Sequence, residues 1–580
     1  MSDPSNATIA AAFDELGDLY ELDGAVAYRV IAYRNAAKAV RDASVSVSAL
    51  TREGRVTSLP GIGKTLEEKL HALLDTGTIP AAEKLRAKFP PGLIDLTRLP
   101  GLGPKRARKL FDELSIDSLE SLRAAAEAQK LRGVKGFGPK FEESVLAAFA
   151  SGVAEKAAPR LVLNKAVELS DAIVEALRAH PAAVRVEAAG GVRRLADSVK
   201  DLDIVAASED PAALAAALAE LDLVESASSS GENAARARTH NGVSIDLRVV
   251  APDQFGNLLQ HFTGNKQHNV KIRERAVRKG LHVSEYGILD DATEETLRCA
   301  TEEEVYARLG LPWIPPELRE DRGELEPGYV VPDLITQEQL KGDLHCHTVA
   351  SDGRNTALEM ARGASERGLE YVAITDHSAT HGFGNDVSPD GLKRQIELVR
   401  GINEQLDGIE VLVGTETNIL PDGSPDYDDE LLAELDWVVA SVHTSFGMSS
   451  AEMTKRIVTA IEHPWIDCIG HLTGRKIERR KPYELDADAI FAAAAANGTM
   501  LEINSAPDRR DLNDVHARAA NAAGVTIVIN TDAHGVSTQG IARWGIATAR
   551  RAGLTAAEVA NTRPWAEFAP LRKHARTATT

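Results

Sequence analysis

The stretch Gly-Asp-Leu-His-Cys-His-Thr-Val-Ala-Ser-Asp-Gly, residues 342–353, decides the fold of the C-terminal part of the chain. In an extended segment side chains alternate with a period of two, so His345 and His347 point to the same side. Asp352 follows in the Ser-Asp-Gly triplet. Two imidazoles with a carboxylate close by are typical donors for a divalent metal ion, and we therefore predict a metal site here.

Short apolar runs downstream predict strands that alternate with amphipathic helices, a pattern typical of a parallel β/α barrel. The predicted strands begin at Tyr371, Glu410, Trp437, Cys468, Met500 and Val525. Strand C-termini meet on one face of such a barrel, where active sites lie. The further candidate ligands at these strand ends are His377, Glu416, His443, His471, Asp532 and His534.

Nitrogen and oxygen ligands without thiolates suit two or three ions such as Mn²⁺, Zn²⁺ or Fe²⁺. Such a cluster binds phosphate oxygens, lowers the pKa of bound water and stabilises a leaving oxygen. One histidine at a strand end is more often structural than a ligand, but a set that follows the predicted strands one after another outweighs that alternative. The sequence therefore predicts a multi-metal phosphoesterase site.

The motifs HCH, SDG, TDH, GTE, SVH, IGH and TDAH, over residues 341–570, resemble those of the polymerase-and-histidinol-phosphatase (PHP) family. The resemblance implies a distorted βα barrel with a trinuclear site in which every ligand position is filled. It makes Glu416 a bridging carboxylate and Asp376 a group that orients its neighbours. Arg509 is a candidate for binding a substrate phosphate, although a surface salt bridge explains this arginine equally well.

Two acidic motifs lie on predicted strands in the central part of the chain. Asp201 and Asp203 point to one face of a strand, and Asp246 lies on a second strand. An acidic pair alone is common on a solvated strand edge. Three carboxylates on adjacent strands, however, would bind two Mg²⁺ ions around a triphosphate. Upstream, Gly190 and Gly191 permit close approach of the backbone to a phosphate.

The order of these motifs resembles the palm and thumb of family X DNA polymerases, in the nucleotidyltransferase superfamily. The resemblance implies that Asp201, Asp203 and Asp246 hold Mg²⁺ or Mn²⁺, and that Asp246 accepts the proton of the primer 3′-hydroxyl. It also implies a template-strand contact for Arg273. The nucleotide-binding residues that it implies are Gly190, Gly191, Arg194, Phe262, Gly264 and Asn269.

Two positions depart from the family pattern. Gly191 stands where these polymerases usually have serine, so a charge-assisted hydrogen bond to the triphosphate, worth about 1–3 kcal/mol, is missing. His261 stands where a tyrosine is common, which loosens discrimination of the sugar. Weak polymerisation is therefore expected, and a palm without activity is the alternative.

Three segments of the first 150 residues repeat a Gly-x-Gly turn followed by a helical pattern, and they begin at Ser58, Arg98 and Gly133. Such a turn aims the free N–H groups of the first helical turn at a phosphate, without reading the base sequence. The repeats resemble helix-hairpin-helix motifs, in the order of the lyase-like and fingers regions of family X polymerases. The implied DNA contacts are Gly61, Gly63, Lys64, Gly101, Gly103, Lys105, Gly136, Gly138 and Lys140.

Lys69 lies at the position of the Schiff-base lysine of the lyase-proficient family members. A lysine there attacks the aldehyde of an abasic sugar if desolvation lowers its pKa. An exposed helical lysine without a catalytic role is the alternative.

The composition limits the remaining classes of protein. Three cysteines without close pairing give no disulfide framework, which suits a reducing cytoplasm. Neither a signal peptide nor a membrane span is expected, because the N-terminus and the apolar runs lack the required pattern and length. The net charge of −20 argues against nucleic acid, but Lys and Arg nearly balance Asp and Glu in residues 1–150, where a local DNA footprint is compatible.

The whole chain resembles a bacterial-type family X DNA polymerase fused to a PHP domain. We expect a helical helix-hairpin-helix N-terminal region, an α/β nucleotidyltransferase palm with a thumb, and a C-terminal distorted βα barrel. The expected domains are a lyase-like helical domain (1–85), fingers with two helix-hairpin-helix motifs (86–155), palm (156–250), thumb (251–315), linker (316–340) and PHP phosphoesterase (341–575).

The expected function is DNA repair in the cytoplasm, at the nucleoid, by a monomer that acts on gapped or nicked double-stranded DNA with dNTPs. The palm adds nucleotides, and the PHP site is expected to act as a 3′–5′ exonuclease, to remove blocking 3′ groups, and to cut at abasic sites. One alternative is a DNA-anchored PHP nuclease or phosphatase with a weak or inactive palm. A scaffold that binds broken ends is another.

Overall fold

The computed structural model describes residues 3–97, 99, 102–150, 160–229, 231, 233–380, 382, 386–573 and 575. These residues form two compact units. The first takes its residues from 1–161, 169–187 and 200–252, and the second from 162–168, 188–199 and 253–580. In this described part of the chain, no helix is both long and apolar enough to cross a membrane.

The N-terminal part of the first unit is helical because apolar residues recur at helical spacing and meet in one core. Ile9, Phe13 and Leu16 of the first helix are fully buried there. Ser5 caps that helix by accepting a hydrogen bond from the N–H of Thr8. The helices are α1 (Asn6–Leu22), α2 (Ala27–Asp42), α3 (Val47–Arg52), α4 (Lys64–Thr76), α5 (Pro80–Arg86), α6 (Pro91–Leu96), α7 (Pro104–Leu114), α8 (Leu119–Glu127) and α9 (Pro139–Ala150).

The central part of the chain alternates strands and helices. The strands are β1 (Leu161–Val162), β2 (Ala183–Ala188), β3 (Ser198–Val199), β4 (Asp201–Ser208), β5 (Val224–Ser229), β6 (Ala234–Thr239) and β7 (Ser244–Val250). The helices are α10 (Leu163–Arg178), α11 (Gly190–Arg193) and α12 (Pro211–Ala217). The main sheet has the order β2-β4-β7-β6-β5, with β4 parallel to β7. The predicted strands that carry the acidic motifs are therefore confirmed.

The second unit begins its continuous part with a small helical and antiparallel module. Its elements are α13 (Phe255–Thr263), α14 (Lys266–Val277), β8 (Leu281–Ser284), β9 (Gly287–Asp290), β10 (Thr296–Leu297) and α15 (Glu302–Arg308). A buried ion network stabilises the module, since Arg193 and Arg319 donate hydrogen bonds of 2.7 and 2.6 Å to the carboxylate of Glu302. Paired in this way, three charged side chains can be taken out of water.

Residues 316–340, expected to be a linker, are extended but packed. Leu325 and Leu334 are buried. The N–H of Ile335 donates to the carbonyl of Leu554, and Arg550 Nε donates to Glu317 Oε1 at 2.8 Å. The segment is thus held along its length and is not a free tether.

The C-terminal part is a parallel sheet wrapped by helices. Its strands are β11 (Gly342–Asp343), β12 (Tyr371–Ile374), β13 (Glu410–Asn418), β14 (Trp437–Ser441), β15 (Cys468–Ile469), β16 (Met500–Asn504) and β17 (Ile527–Asn530). Its helices are α16 (Ala357–Glu366), α17 (Pro389–Asn403), α18 (Asp429–Leu432), α19 (Ser450–Glu462), α20 (Ala487–Asn497), α21 (Asp514–Ala522), α22 (Ala542–Ala552) and α23 (Trp565–Phe568).

These strands lie in sequence order, and each neighbouring pair is parallel. An isolated parallel bridge between Cys346 and Ala533 brings the segments after β11 and β17 together, so the sheet nearly closes. The prediction of a parallel βα barrel is confirmed. Closure places the residues that follow each strand around one mouth.

Candidate functional site

The barrel mouth gathers all nine predicted metal ligands. They come from the segments after β11, β12, β14, β15 and β17, from the loop before α16, and from within β13. Glu416 lies at the centre, with both carboxylate oxygens buried. Its Oε2 lies 3.4 Å from His345 Nε2 and 2.9 Å from His377 Nδ1. Its Oε1 lies 3.3 Å from His443 Nε2 and 3.0 Å from His471 Nε2.

Three overlapping groups of ligand atoms surround this carboxylate, and within each group the atoms lie within 4.8 Å of one another. The groups are His345, His347 and Asp532; His377, Glu416 and His443; and His347, Asp352, His377 and His534. His471 joins through its contact with Glu416. The groups share His347 and His377, and the two oxygens of Glu416 face different histidines, so neighbouring ion positions lie close together, as in a polynuclear site.

The donor set fits divalent cations. Both oxygens of Glu416, His345 Nε2 and His471 Nδ1 are buried without a hydrogen-bond partner among the described residues. A buried polar atom without a hydrogen-bond partner destabilises the fold, and a bound ion would be a direct partner for Glu416 and His345. The residues are imidazoles and carboxylates only, so Mn²⁺, Zn²⁺ and Fe²⁺ all match their chemistry.

Burial and mutual charge set the ionisation of these residues. Burial alone would raise the pKa of Glu416, but the charges of His443 and His345 hold it well below its ordinary value. Burial, joined by neighbouring positive charge, lowers the pKa of His347 and of His471 to about 4. Near neutral pH these two imidazoles are therefore uncharged, the form that binds a metal ion.

Glu502 is a functional residue that the sequence pattern missed. It is fully buried in β16, and its Oε1 accepts a 2.7 Å hydrogen bond from His345 Nδ1. Its Oε2 accepts from the N–H of His471 at 2.8 Å. A carboxylate behind a ligating histidine fixes the tautomer and leaves the other ring nitrogen for the metal. The signal in the sequence is an acidic residue between Leu501 and Ile503 of a strand-like run.

Asp376 has the geometry of a positioning residue. Its carboxylate accepts hydrogen bonds from the N–H of Thr348 at 2.7 Å, from Ser351 Oγ at 2.5 Å and from Gln395 Nε2 at 2.8 Å. It thereby ties the loop that follows His347 to α17. Buried hydrogen bonds of this kind, each to a charged carboxylate, restrict the loop that carries His347 and Asp352.

Arg509 stands at the edge of the metal centre. Its Nε lies 3.8 Å from Asp532 Oδ2, and its side chain is 15% exposed. The surface salt bridge considered from the sequence is therefore not its setting. A mostly buried guanidinium beside the ligands can meet a phosphate oxygen.

The three palm carboxylates lie on neighbouring strands of the first unit. Asp203 on β4 is directly opposite Asp246 on β7, and Asp201 precedes Asp203 by two residues on the same face. Arg248 Nε donates to Asp246 Oδ1 at 2.8 Å. The strand pairing thus brings the predicted carboxylates to one face of the sheet, as two-metal chemistry requires.

The predicted nucleotide-binding residues of the second unit meet around the end of α13. Arg194 donates to the carbonyl of Thr263 and, at 3.0 Å, to Glu320 Oε1. A Cβ at Gly264 would lie 3.2 Å from Arg194 Nη1. Asn269 Nδ2 donates to the carbonyl of His261 at 2.7 Å. These contacts hold Arg194 and Asn269 within the protein.

Phe262 and Arg273 lie beside His261. The rings of His261 and Phe262 are 5.5 Å apart, and Arg273 Nη2 lies 3.5 Å from His261 Nδ1.

Gly190 has a φ of 55°, and a Cβ at Gly191 would lie 2.8 Å from Val199 Cγ1. The second glycine is therefore packed against β3, and a serine does not fit there without movement.

The repeats form the expected turns before helices. Gly61 and Gly136 have φ of 85° and 94°, the left-handed region that favours glycine. Gly63 and Gly103 begin α4 and α7, and Gly138 directly precedes α9. A Cβ at any of these five would meet nothing within 4 Å, so a phosphate can approach the backbone. Gly101 lies outside the described residues.

The lysines of the repeats point outward. Lys64, Lys105 and Lys140 are exposed. Arg106, by contrast, stacks on the rings of Phe137 and Phe141 and serves packing. Lys69 is half-buried on α4.

Four family models match the chain. A helix-hairpin-helix domain matches residues 4–79, and a SAM-like helix-hairpin-helix tandem matches residues 93–151. The DNA polymerase beta thumb matches residues 258–320, and the PHP domain matches residues 343–506. The matches follow the order expected from the motifs.

Whole-chain similarity extends over both units. The DNA polymerase/3′-5′ exonuclease PolX of Bacillus subtilis is 39% identical over 94% of this chain and 95% of its own length. A probable phosphatase of Caldanaerobacter subterraneus is 32% identical over 33% of this chain and 75% of its own length. A probable phosphatase of Thermoanaerobacter is 31% identical over 38% of this chain and 89% of its own length. The chain belongs to the PolX family, the bacterial-type family X DNA polymerases with a C-terminal PHP domain.

Proposed function

We propose that this protein is a DNA repair enzyme that fills short gaps by template-directed polymerisation and trims 3′ ends with its PHP centre. The observation that carries the proposal is the complete ligand set around Glu416, on a chain that also pairs Asp203 with Asp246. The PolX relative is named for both activities. The proposed substrates are dNTPs and gapped or nicked DNA, with the protein acting as a monomer at the nucleoid.

In the palm, Asp201, Asp203 and Asp246 would hold Mg²⁺ or Mn²⁺. Asp246 takes the proton of the primer 3′-hydroxyl, and Arg248 beside it holds the carboxylate in place at 2.8 Å. Arg194 binds the triphosphate after leaving Glu320, and Phe262, Gly264 and Asn269 contact the incoming nucleotide. Gly190 and Gly191 lend their backbone to the phosphates, and Arg273 meets the template strand.

In the PHP centre, the nine ligands would hold two or three Mn²⁺, Zn²⁺ or Fe²⁺ ions, which supply a hydroxide at neutral pH and polarise the phosphoryl oxygen. Glu416 would hold ions through both of its carboxylate oxygens. Glu502 and Asp376 keep His345 and the loop after His347 in place. Arg509 neutralises charge on the substrate phosphate. The N-terminal repeats hold the duplex by its phosphates, and Lys69 is the candidate for lyase chemistry.

Primer extension on a one-nucleotide gap tests the palm. Wild-type protein should insert one nucleotide, and Asp201→Ala should lose this activity while it still degrades a labelled 3′ end. Equal extension by both proteins would show that the palm assignment is wrong. Degradation that persists in the variant shows that the PHP domain is folded, and an unchanged thermal unfolding curve controls for the unit that carries Asp201.

Manganese-dependent degradation of a labelled 3′ end tests the PHP centre. The double variant His345→Ala/His347→Ala should lose degradation and keep gap filling. A second substrate with a 3′-phosphate should be included, because two relatives are named as probable phosphatases, which favours removal of a terminal phosphate as a second activity. Survival of both reactions in the double variant would rule out this centre.

A further inference from the structure

A strongly basic loop, residues 475–482, leads away from the PHP centre. Its sequence is Arg-Lys-Ile-Glu-Arg-Arg-Lys-Pro, and it lies between His471 and α20. Together with Asp197 and Ser198, the loop lines an open pocket of about 540 Å³. Such a concentration of positive charge is unusual in a chain with a net charge of −20, and it is the signature of a phosphate-binding surface.

The loop is built as a rigid hairpin. Backbone hydrogen bonds run in both directions between Lys476 and Arg480, at 2.9 and 2.8 Å. Ile477 is buried, and its N–H donates to the carbonyl of Asp508. Arg480 lies over the ring of Phe446 at 4.5 Å. A loop ordered in this way loses little conformational freedom when a ligand binds.

The positive charge continues into the metal centre. Lys476 Nζ lies 3.1 Å from Asp508 Oδ1, and Asp508 directly precedes Arg509 in the chain. Arg509 in turn lies 3.8 Å from Asp532 Oδ2, an atom of the proposed metal site. At the outer end, the side chain of Arg479 is 60% exposed, and Lys481 is exposed.

The acidic residues beside the loop are already engaged. Asp508 binds Lys476 Nζ at 3.1 Å, with Arg479 Nη1 farther away at 3.8 Å. Glu478 accepts a hydrogen bond from Ser198 Oγ at 2.8 Å, and Asp197 accepts from Arg475 Nη1 at 2.6 Å. Among the described residues, Arg479 therefore keeps one long ion pair, with Asp508, and Lys481 forms none, so most of their charge faces solvent.

We infer that the basic loop binds the phosphates of a single-stranded 3′ tail, on the 5′ side of the bond cut in the PHP centre. The inference rests on the proposed exonuclease function. A terminal nucleotide in the centre requires the rest of its strand to leave over the protein surface. The chain of cations from Arg509 to Arg479 and Lys481 is the route whose charge matches a phosphodiester backbone.

The test uses full-length protein and two substrates, a labelled oligonucleotide with a single-stranded 3′ tail and a thymidine dinucleotide. Arg479→Ala/Lys481→Ala removes two cations that lie outside the metal centre. Lys393→Ala/Arg394→Ala, on the exposed face of α17, makes the same change of charge elsewhere.

The loop variant should raise the KM for the tail about tenfold and leave hydrolysis of the dinucleotide unchanged, since the dinucleotide has no phosphate beyond the bond that is cut. Its plot of log kcat/KM against log salt should be shallower by about 1.4, because each single-strand phosphate contact contributes about 0.7. The control variant Lys393→Ala/Arg394→Ala should have the wild-type KM for the tail and the wild-type salt dependence.

Unchanged kinetics on the tail would overturn the inference, and so would an equal loss on both substrates. If wild-type protein degraded neither substrate, the proposed exonuclease function itself would fail, which is a distinct outcome.

Discussion

A single carboxylate, Glu502, determines which nitrogen His345 offers to the metal centre. Both of its oxygens act only as acceptors, Oε1 toward His345 Nδ1 and Asn530 Nδ2, Oε2 toward the N–H of His471 and Asn504 Nδ2. Four donors converge on one buried group. A neutral amide cannot replace it, because one end of an amide is itself a donor.

Glu502→Gln should therefore weaken metal binding although all nine predicted metal ligands are still present. We expect metal affinity and 3′-end degradation to fall about 10- to 100-fold, the usual effect of removing a carboxylate behind a ligating histidine. A manganese titration of exonuclease activity measures the shift to higher concentration. Glu410→Gln, at the opposite end of β13 from Glu416, is the control. An unaltered titration would mean that Glu502 does not position His345.

Six of the ligands were predictable at this scale because each follows, or lies in, an apolar run that marks a strand, whereas His345, His347 and Asp352 were predicted from the His-x-His and Ser-Asp-Gly motifs. Glu502 was not, because it alternates with Leu501 and Ile503, a pattern equally typical of a strand with one solvated face. Only the closure of the barrel shows that its face points inward. Sequence spacing assigns a residue to a strand or helix, but it does not show which residues of strands distant in the sequence will contact it.

Among the elements, the short helix α11 and the strand β3 explain the missing serine of the phosphate-binding turn. A Cβ at Gly191 would lie 2.8 Å from Val199 Cγ1, closer than van der Waals contact allows. Val199 is buried and β-branched, so it has little freedom to move away. The size of the side chain tolerated at position 191 therefore depends on the side chain of Val199.

Gly191→Ser alone should destabilise the protein by about 1–3 kcal/mol, the usual cost of overpacking, and bring no gain in nucleotide binding. Gly191→Ser/Val199→Ala should make room for the hydroxyl and lower the KM for dNTP about fivefold, equivalent to one hydrogen bond of about 1 kcal/mol. Thermal unfolding and single-nucleotide gap filling measure the two effects, with Val199→Ala as the control. A lower KM in the single variant, without loss of stability, would contradict the coupling.

Elements with apolar runs were predictable, whereas those held by pairing were not. The strands β12 to β17 coincide with the predicted runs. By contrast β6, with the sequence Ala-Ala-Arg-Ala-Arg-Thr, contains residues that are depleted in strands, and it exists because it pairs with β7 along its length. β11 has two residues, too few for any periodicity. Tertiary pairing, which single-sequence patterns do not contain, supplies these elements.

At the scale of the whole molecule, the net charge and the local charge of the repeats predict opposite effects on DNA binding. A chain with a net charge of −20 should be repelled by DNA, yet the repeats expose backbone N–H groups and lysines at three turns. Within a Debye length of about 8 Å at physiological salt, only the local charges act on a phosphate. Affinity for DNA should therefore follow these few lysines and not the total.

Replacing the three exposed lysines of the repeats tests this directly. Lys64→Gln/Lys105→Gln/Lys140→Gln should weaken binding to gapped duplex DNA and flatten the dependence of log affinity on log salt by about 2.7, three contacts at about 0.9 each. Hydrolysis of a dinucleotide in the PHP centre should not change, since none of the three lies there. Lys84→Gln/Lys393→Gln/Lys455→Gln changes the net charge equally at exposed positions outside the Gly-x-Gly turns. If fluorescence anisotropy gave the same slope for both triple variants, total charge, and not the repeats, would govern binding.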